Sequence, residues 1–358
     1  MAGKIKVLIV DDSAVVRQVL TSVLESAKHI EVVGAARDPI DAREKIKQLN
    51  PDVLTLDIEM PKMDGVTFLK NLMRLRPMPV VMISTLTEAG ADITLEALEV
   101  GAVDFISKPK IGVQEALEDY SIEIIDKVTI AAKAKVREYK GSVERLKPDK
   151  KLDADAVLEK KTGNTRFKTT DKIVAIGAST GGTEAIKEVL ESLPANAPGI
   201  VISQHIPIAF SKAFTERVNK SCQMTVCEPK DKQKIIRGYA YIAPGDKHLL
   251  VERSGADYIC RLNDGPPVNR HKPSVDVMFR SVAQNVGPNA MGVMLTGMGA
   301  DGAQGMLEMK ENGSYNISQD EESCVVWGMP GAAVKVGAVD KEHTLSQIGK
   351  AILKYCSD

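Results

Sequence analysis

Val7-Leu8-Ile9-Val10 and Ile173-Val174-Ala175-Ile176 open the two halves of this chain of 358 residues. Each run leads through a short turn into a segment, residues 14–26 and 184–193, where apolar side chains recur every three or four positions. Short continuous runs rich in Val and Ile are typical of parallel strands that are covered on both faces. The two stretches therefore predict two α/β domains built from βα units.

The first half repeats this alternation, and a polar segment follows it. Further apolar runs at 32–35, 53–56, 80–83 and 105–106 predict a doubly wound, five-stranded parallel sheet of the flavodoxin-like type. Residues 139–170 are polar, charged and poorly periodic, which is typical of a linker. We therefore predict a first domain over residues 1–138, a linker over 139–170 and a second domain over 171–358.

The second half predicts a mostly parallel sheet with a β-hairpin excursion. Apolar runs at 200–203 and 291–295 predict strands, and helix-period segments follow both of them. Residues 249–253 and 258–262 flank Ser254-Gly-Ala-Asp257, which is a hairpin signal.

The composition excludes several classes of function. Lys and Arg number 27 against 27 Asp and Glu in residues 1–170, and 20 against 21 in residues 171–358, so neither half has the basic excess of a nucleic-acid-binding domain. No apolar run reaches the roughly 20 residues that cross a bilayer, so we expect no direct membrane insertion. Without a signal-peptide pattern, and with five cysteines that lack zinc-ligand spacing, we expect a cytoplasmic protein with reduced thiols.

Acidic side chains follow two strands of the predicted first sheet. Asp11 and Asp12 follow the first strand, Asp57 follows the third, and Lys108 follows the fifth. The carboxyl ends of parallel strands share one edge, so these groups should converge there. Oxygen ligands suit Mg²⁺, and a carboxylate beside such an ion can accept a phosphoryl group. Lys108 would neutralise that group and Ser84, at the end of the fourth strand, would donate a hydrogen bond to it; alternatively, the acids only cap helices.

Three motifs in this half resemble the receiver domain of two-component response regulators. They are Val10-Asp-Asp-Ser13, Leu56-Asp-Ile-Glu-Met-Pro-Lys-Met-Asp-Gly65 and Lys108-Pro109. The resemblance implies that a histidine kinase supplies the phosphoryl group to Asp57. It also implies that Phe105 is the aromatic switch residue and that the Lys108-Pro109 bond is cis. The implied Mg²⁺ ligands are Asp11, Asp12, Asp57 and the backbone carbonyl of Glu59.

The second domain opens with Gly177-Ala-Ser179-Thr-Gly181 between a predicted strand and a helix. Such a turn either cradles a phosphate on its backbone N–H groups or exposes a serine nucleophile. A serine needs a base, and His205 ends a strand that should lie beside Ser179. Asp301 follows another strand and could orient the imidazole, although it could instead cap a helix. The rival acids are Asp246, Asp264 and Asp276.

Several motifs of the second domain resemble the chemotaxis protein-glutamate methylesterases, the CheB family. They are Ile176–Ile186, Gln204-His205, Ile242–His248, Asp264–Asp276 and Leu295–Gly302. The resemblance implies that Ser179 is the nucleophile, His205 the general base and then acid, and Asp301 the orienting carboxylate. It also implies an oxyanion donor in the backbone N–H of Met298 and a site-lining role for Thr180. No cofactor is implied for the hydrolase.

The same resemblance implies the substrate and the control. Methylated glutamates of chemoreceptors would be hydrolysed, certain receptor glutamines would be deamidated, and phosphorylation of Asp57 would relieve a block that the receiver imposes on the hydrolase. Two rival functions are a transcription factor and a non-catalytic adaptor that docks on receptors. A transcription factor would need a basic output domain, whereas residues 171–358 are near neutral. The adaptor stays open, because a binding surface leaves no such sequence pattern. The stretch Asn269-Arg270-His271-Lys272 stays open, either as a contact for acidic receptor helices or as a solvated basic loop.

Overall fold

The computed structural model describes residues 3–60, 63–84, 88–108, 114–136 and 172–357. The chain divides into two compact units, Met1–Gly141 and Ser142–Asp358. The predicted linker 139–170 lies outside the described residues. In the part of the chain that the structure describes, no helix is long and apolar enough to cross a membrane.

The first unit is a five-stranded parallel sheet with the strand order β2-β1-β3-β4-β5. This confirms the predicted doubly wound sheet, in which the runs at Val7 and Val53 form the fully buried centre. Its elements are β1 (Ile5–Val10), α1 (Ala14–Glu25), β2 (Ile30–Ala36), α2 (Pro39–Leu49), β3 (Val53–Asp57), α3 (Gly65–Leu75), β4 (Val80–Ser84), α4 (Glu88–Val100), β5 (Asp104–Ser107) and α5 (Gln114–Ala131).

Helix caps in this unit come from residues other than the predicted site acids. Ser13 caps α1 by accepting a hydrogen bond from the backbone N–H of Val16, and Asp64 caps α3 through the N–H of Thr67. Neither Asp11 nor Asp57 occupies a cap position. Helix capping therefore does not account for the acids at the ends of β1 and β3.

The second unit is a seven-stranded sheet with the order β14-β13-β12-β6-β7-β9-β8, and every pair in it is parallel. The predicted hairpin forms a separate two-stranded antiparallel sheet, as expected. The elements are β6 (Ile173–Ala178), α6 (Gly182–Glu191), β7 (Gly199–Gln204), α7 (Ile208–Ser221), β8 (Thr225–Cys227), β9 (Tyr239–Ile242), β10 (His248–Ser254), β11 (Asp257–Asn263), α8 (Val275–Asn285), β12 (Ala290–Met294), α9 (Ala303–Glu311), β13 (Tyr315–Gln319), α10 (Met329–Lys335), β14 (Lys341–His343) and α11 (Leu345–Ser357).

The strand order reverses direction at β6. The chain moves from β6 to β7 on one side, whereas β12 and β13 occupy the other side. In open parallel sheets, ligands bind outside the carboxyl ends of the strands at such a switch point. Helix α8 packs closely over β6, because Gly177 has no side chain to collide with Val275. This packing brings the start of α8 to the same edge.

Candidate active site

Three predicted side chains stand at this edge on three different loops. Ser179 follows β6, His205 follows β7, and Asp301 lies between β12 and α9. The pairing of β6 with both neighbours, β7 and β12, makes these loops leave the sheet side by side. Ser179, His205 and Asp301 are called the triad below.

The triad is connected by hydrogen bonds. Nδ1 of His205 lies 3.1 Å from Oγ of Ser179, and Nε2 of His205 lies 2.8 Å from Oδ2 of Asp301. A carboxylate only accepts hydrogen bonds, so the neutral His205 ring carries its proton on Nε2. Nδ1 is then left as an acceptor for the Ser179 hydroxyl proton. The His205 and Asp301 side chains are buried, and Ser179 is half-buried.

The start of α8 holds the Asp301 carboxylate. Oδ1 accepts from the Ser274 hydroxyl at 2.8 Å, and Oδ2 accepts from the Val275 backbone N–H at 2.7 Å. Ser274 is the N-cap of this helix, whose positive end favours an anion. Burial raises the pKa of Asp301, but the hydrogen bond and charge of His205 and the other donors outweigh it, so the pKa lies well below its usual value. The carboxylate therefore stays charged while it orients His205.

The nucleophile turn uses its own backbone groups. The N–H of Ser179 donates to the carbonyl of Thr296 at 3.1 Å, and the N–H of Gly182 donates to the carbonyl of Ser179 at 2.7 Å. Gly181 adopts a φ of 74°, which allows the chain to reverse sharply before α6. Two N–H groups that a phosphate cradle would need are thus already engaged. The geometry favours the serine-nucleophile interpretation over the phosphate-binding one.

The loop after β12 approaches the nucleophile closely. A Cβ atom on Gly297 would lie 2.9 Å from Cβ of Ser179, so only glycine fits there. The carbonyl of Gly297 accepts from the N–H groups of Gly328 and Met329 at 3.1 and 2.8 Å, which fixes the loop. The next residue is Met298, whose backbone N–H donates to none of the described residues. Its use as an oxyanion donor next to Ser179 stays a prediction.

Thr180 and Gln204 form hydrogen bonds that connect the loops of the site to one another. Thr180 is buried, and its carbonyl accepts a hydrogen bond from Oγ1 of Thr296 at 3.0 Å. The site-lining role that the resemblance implies for Thr180 stays a prediction. The Gln204 side-chain amide donates to the carbonyls of Ser179 and His205 at 2.9 and 3.1 Å, so one side chain ties the two loops together.

Two residues that contact the triad could not be assigned a role from the sequence. Nδ2 of Asn269 donates to Oδ1 of Asp301 at 2.8 Å, and the His271 ring stacks on the His205 ring with centroids 3.6 Å apart. Both belong to the stretch 269–272, whose role the sequence left open. Asn269-Arg270 carries a turn signal, but nothing in the sequence links this turn to Asp301.

The first unit brings its predicted acids together as well. Carboxylate oxygens of Asp11, Asp12 and Asp57 all lie within 4.8 Å of one another. Nζ of Lys108 lies 2.8 Å from Oδ2 of Asp57 and 3.6 Å from Oδ2 of Asp11. Burial, opposed by the hydrogen bond from Lys108 and reinforced by the Asp11 charge, raises the pKa of Asp57 to about 6. An additional cation would relieve this crowding.

The acids fit a divalent cation. Oδ2 of Asp11 is buried and accepts no hydrogen bond from the described residues. The Lys108 ammonium lies 3.6 Å from this oxygen, so the oxygen still has room for a closer cation, which would offset the cost of its burial. The donors are all oxygens, which suits a hard ion such as Mg²⁺. The N–H of Glu59 donates to Oδ1 of Asp57 at 3.3 Å, which sets the start of the loop that carries the Glu59 carbonyl.

The predicted switch residues lie on the neighbouring strands. Ser84 ends β4, is buried, and lies 2.8 Å from Oγ1 of Thr94. Phe105 is buried on β5, and Nζ of Lys127 lies 5.3 Å from the centre of its ring. The predicted cis bond between Lys108 and Pro109 falls outside the described residues.

Comparisons with known proteins agree for both units. The family model described as CheB methylesterase matches residues 174–352, and that of the response regulator receiver domain matches residues 7–118. A protein-glutamate methylesterase/protein-glutamine glutaminase of Hydrogenovibrio crunogenus is 59% identical over an alignment that covers 98% of each chain. One of Xanthomonas euvesicatoria is 57% identical over 98% of this chain and 96% of the relative.

A solved structure agrees with the second unit. The crystal structure of the Thermotoga maritima CheB methylesterase catalytic domain superimposes with a TM-score of 0.50 at 34% identity. The match covers 51% of this chain and 98% of that domain. The chain therefore belongs to the CheB methylesterase family and carries a response regulator receiver domain in its first half.

Proposed function

We propose that this protein hydrolyses glutamate methyl esters on chemoreceptors, deamidates specific receptor glutamines, and does so under the control of phosphorylation at Asp57. The observation that carries the proposal is the hydrogen-bonded chain from Ser179 through His205 to Asp301, beside the available N–H of Met298. Its close relatives are named for both activities.

Acylation begins at Ser179. As Oγ attacks the γ-carbonyl carbon of the ester, Nδ1 of His205 takes the hydroxyl proton. The carbonyl oxygen becomes an oxyanion, to which the Met298 N–H donates a hydrogen bond. The intermediate then breaks the bond to the methoxy group, and His205 returns the proton so that methanol leaves.

Deacylation repeats these steps with water. Nδ1 of His205 takes a proton from water as its oxygen attacks the acyl carbon. The bond to Ser179 breaks, His205 returns the proton to Oγ, and the glutamic acid that forms releases its own proton to solvent as a carboxylate. With a glutamine substrate ammonia leaves in place of methanol, so the same groups perform both reactions.

Asp301 stabilises the positive charge that His205 carries between these proton transfers. It does so without taking the proton, because its pKa lies far below that of an imidazole. The hydrogen bond and charge of His205 lower this pKa most, and the hydrogen bonds from Asn269 and the Val275 N–H lower it further. The bonds from α8 also fix the carboxylate that orients the His205 ring.

The receiver unit supplies control. A histidine kinase is the proposed phosphodonor for Asp57, and Asp11, Asp12, Asp57 and the Glu59 carbonyl would hold Mg²⁺. The ion neutralises phosphate charge when it is bound. Lys108 forms an ion pair with the phosphoryl oxygens, and Ser84 donates a hydrogen bond to them. Phe105 is the switch residue that responds to phosphorylation of Asp57. A shift of a few kcal/mol in a two-state equilibrium is enough for such a switch.

The proposed location is the cytoplasm. All five cysteines are free thiols, which is the usual state in a reducing compartment. In that compartment the protein would meet both the histidine kinase that phosphorylates it and the methylated helices of chemoreceptors.

The test is methanol release from methylated receptor membranes, with and without a small phosphodonor. We expect the wild-type protein to release methanol and the phosphodonor to stimulate it. Ser179→Ala should abolish release, whereas Asp57→Asn should keep basal release and lose the stimulation. Normal turnover by Ser179→Ala contradicts the hydrolase assignment, and a normal response by Asp57→Asn contradicts the regulatory one.

A further inference from the structure

The segment 268–271 forms a tight turn beside the triad. The N–H of Val268 donates to the carbonyl of His271 at 3.0 Å, and the N–H of His271 donates back at 2.9 Å. The two residues between them, Asn269 and Arg270, have φ values of 53° and 68°. Residues other than glycine are uncommon in this region of backbone conformation. Such a conformation persists only where the surroundings hold it, and it often accompanies function.

Asn269 fixes this turn to the catalytic carboxylate. Its side-chain Nδ2 donates to Oδ1 of Asp301 at 2.8 Å and to Oδ2 of Asp276 at 2.7 Å, so both amide hydrogens are used. Asp276 is itself fixed, because its Oδ1 accepts from the N–H of Gly305 at 2.6 Å. The position of the turn is therefore set by the same carboxylate that orients His205.

His271 carries the effect to the base. Its ring lies parallel to the His205 ring, with the centroids 3.6 Å apart and the planes at 11°. The two hydrogen bonds of His205 act at Nδ1 and Nε2, so they leave the ring able to tilt about the line through these nitrogens. A ring that covers one face opposes this tilt.

We propose that His271 is a positioning residue, which holds the His205 ring in the plane where one nitrogen reaches Ser179 and the other reaches Asp301. The inference rests on the proposed function, since it needs His205 to transfer the proton.

Two variants of the full-length protein test this role in the presence of a small phosphodonor. His271→Ala removes the stacked ring, and His271→Phe restores a flat ring of similar size. Misplacement of a catalytic group by 1 Å can lower a rate on the order of 10²-fold. We expect His271→Ala to lower kcat for methanol release to that extent with KM for receptor unchanged, and His271→Phe to recover most of the rate.

A second measurement distinguishes an effect on His205, the general base, from an effect on receptor binding. The rate at which a small serine-directed phosphonate labels Ser179 depends on His205 but not on a receptor. We expect His271→Ala to lower this rate by the same factor as kcat, and His343→Ala on the edge strand β14, a matched control, to leave it unchanged. Thermal unfolding of each variant confirms that it is folded.

The inference is overturned by a wild-type rate in His271→Ala, by a folded His271→Phe that is no faster than His271→Ala, or by a defect confined to KM with normal labelling. Failure of the proposed function looks different. In that case, wild-type protein releases no methanol, or Ser179→Ala releases as much as wild type does.

Discussion

Asp301 is a buried carboxylate whose two oxygens accept hydrogen bonds from His205, Ser274, Asn269 and the start of α8. The variant Asp301→Asn keeps the size of the side chain but places an N–H₂ group among these donors. If that group faces Nε2 of His205, the ring must carry its proton on Nδ1, where it no longer accepts from Ser179. We expect kcat to fall by about 10⁴-fold with little change in KM, the size seen when an orienting carboxylate of a serine hydrolase is replaced.

Methanol release checks this, and Asp264→Asn is its control. Asp264 is an exposed acid of the same unit and, in the described part of the chain, forms an ion pair with Lys247 at the surface. A surface ion pair contributes little, so this variant should behave like the wild type. Equal losses in both variants, or a nearly normal kcat in Asp301→Asn, would contradict the orienting role.

The same carboxylate predicts how stability depends on pH. Because the pKa of Asp301 is lower in the folded protein than its ordinary value of 3.8, the unfolded chain binds more protons between the two values. The free energy of unfolding therefore rises with pH in this window, and the contribution is complete above it. In urea titrations between about pH 3 and pH 5, the stability difference between wild type and Asp301→Asn should shrink toward the acid end. A difference that is constant with pH would mean that the charge of Asp301 is not stabilising.

At the scale of helices and strands, apolar runs predicted the centres of both sheets. The strands β1, β3, β6 and β7 are continuous apolar runs because both faces are covered, and this pattern is visible in the sequence. The strand β13 is also buried but contains Asn316, Ser318 and Gln319. Nδ2 of Asn316 donates to two carbonyls, and Oε1 of Gln319 accepts from the N–H of Thr296, which offsets part of the cost of burying these groups; such partners lie far away in the sequence.

The site also contains residues that local sequence patterns predict and residues whose partners lie far away in the sequence. Strand ends are readable in the sequence, and in a parallel sheet they share an edge, so Ser179, His205 and Asp301 could be predicted to meet. The roles of Asn269 and His271 depend on a turn that folds back across the sheet from the end of the hairpin β10–β11. No periodicity or spacing in the sequence predicts that the chain folds back there. The roles of these side chains could therefore only be assigned from the structure.

The loop after β12 gives a prediction at this scale. Gly297→Ala adds a Cβ that would lie 2.9 Å from Cβ of Ser179 and would also collide with Sδ of Met329. The loop must move, and the Met298 N–H moves with it. We expect kcat to fall on the order of 10²-fold, the cost of losing one oxyanion donor. Gly265→Ala is the control, since its added Cβ meets only the exposed Asn263 side chain. A normal kcat in folded Gly297→Ala would argue against Met298 as that donor.

At the scale of the whole molecule, each unit carries a complete and chemically different centre. The first gathers three carboxylates and a lysine, a set that is suited to a cation and a phosphoryl group. The second gathers a hydroxyl, an imidazole and one carboxylate whose negative charge is stabilised by hydrogen bonds, and the acyl transfer that we propose uses these groups without a cation. We therefore expect stimulation by a phosphodonor to require a metal ion, and basal methanol release to proceed without one.

Removal of Mg²⁺ by EDTA tests this separation. Without the ion, Asp11 and Asp57 repel an incoming phosphodonor, so the stimulation of methanol release should disappear. Basal release by the unphosphorylated protein should stay the same, because its base is His205 and its oxyanion donor is a backbone N–H. Added Mg²⁺ should restore the stimulation in the wild type but not in Asp57→Asn, whose basal release serves as the internal reference. Loss of basal release with EDTA would mean that the hydrolase itself depends on a metal ion, and would require a different account of how Ser179 is activated.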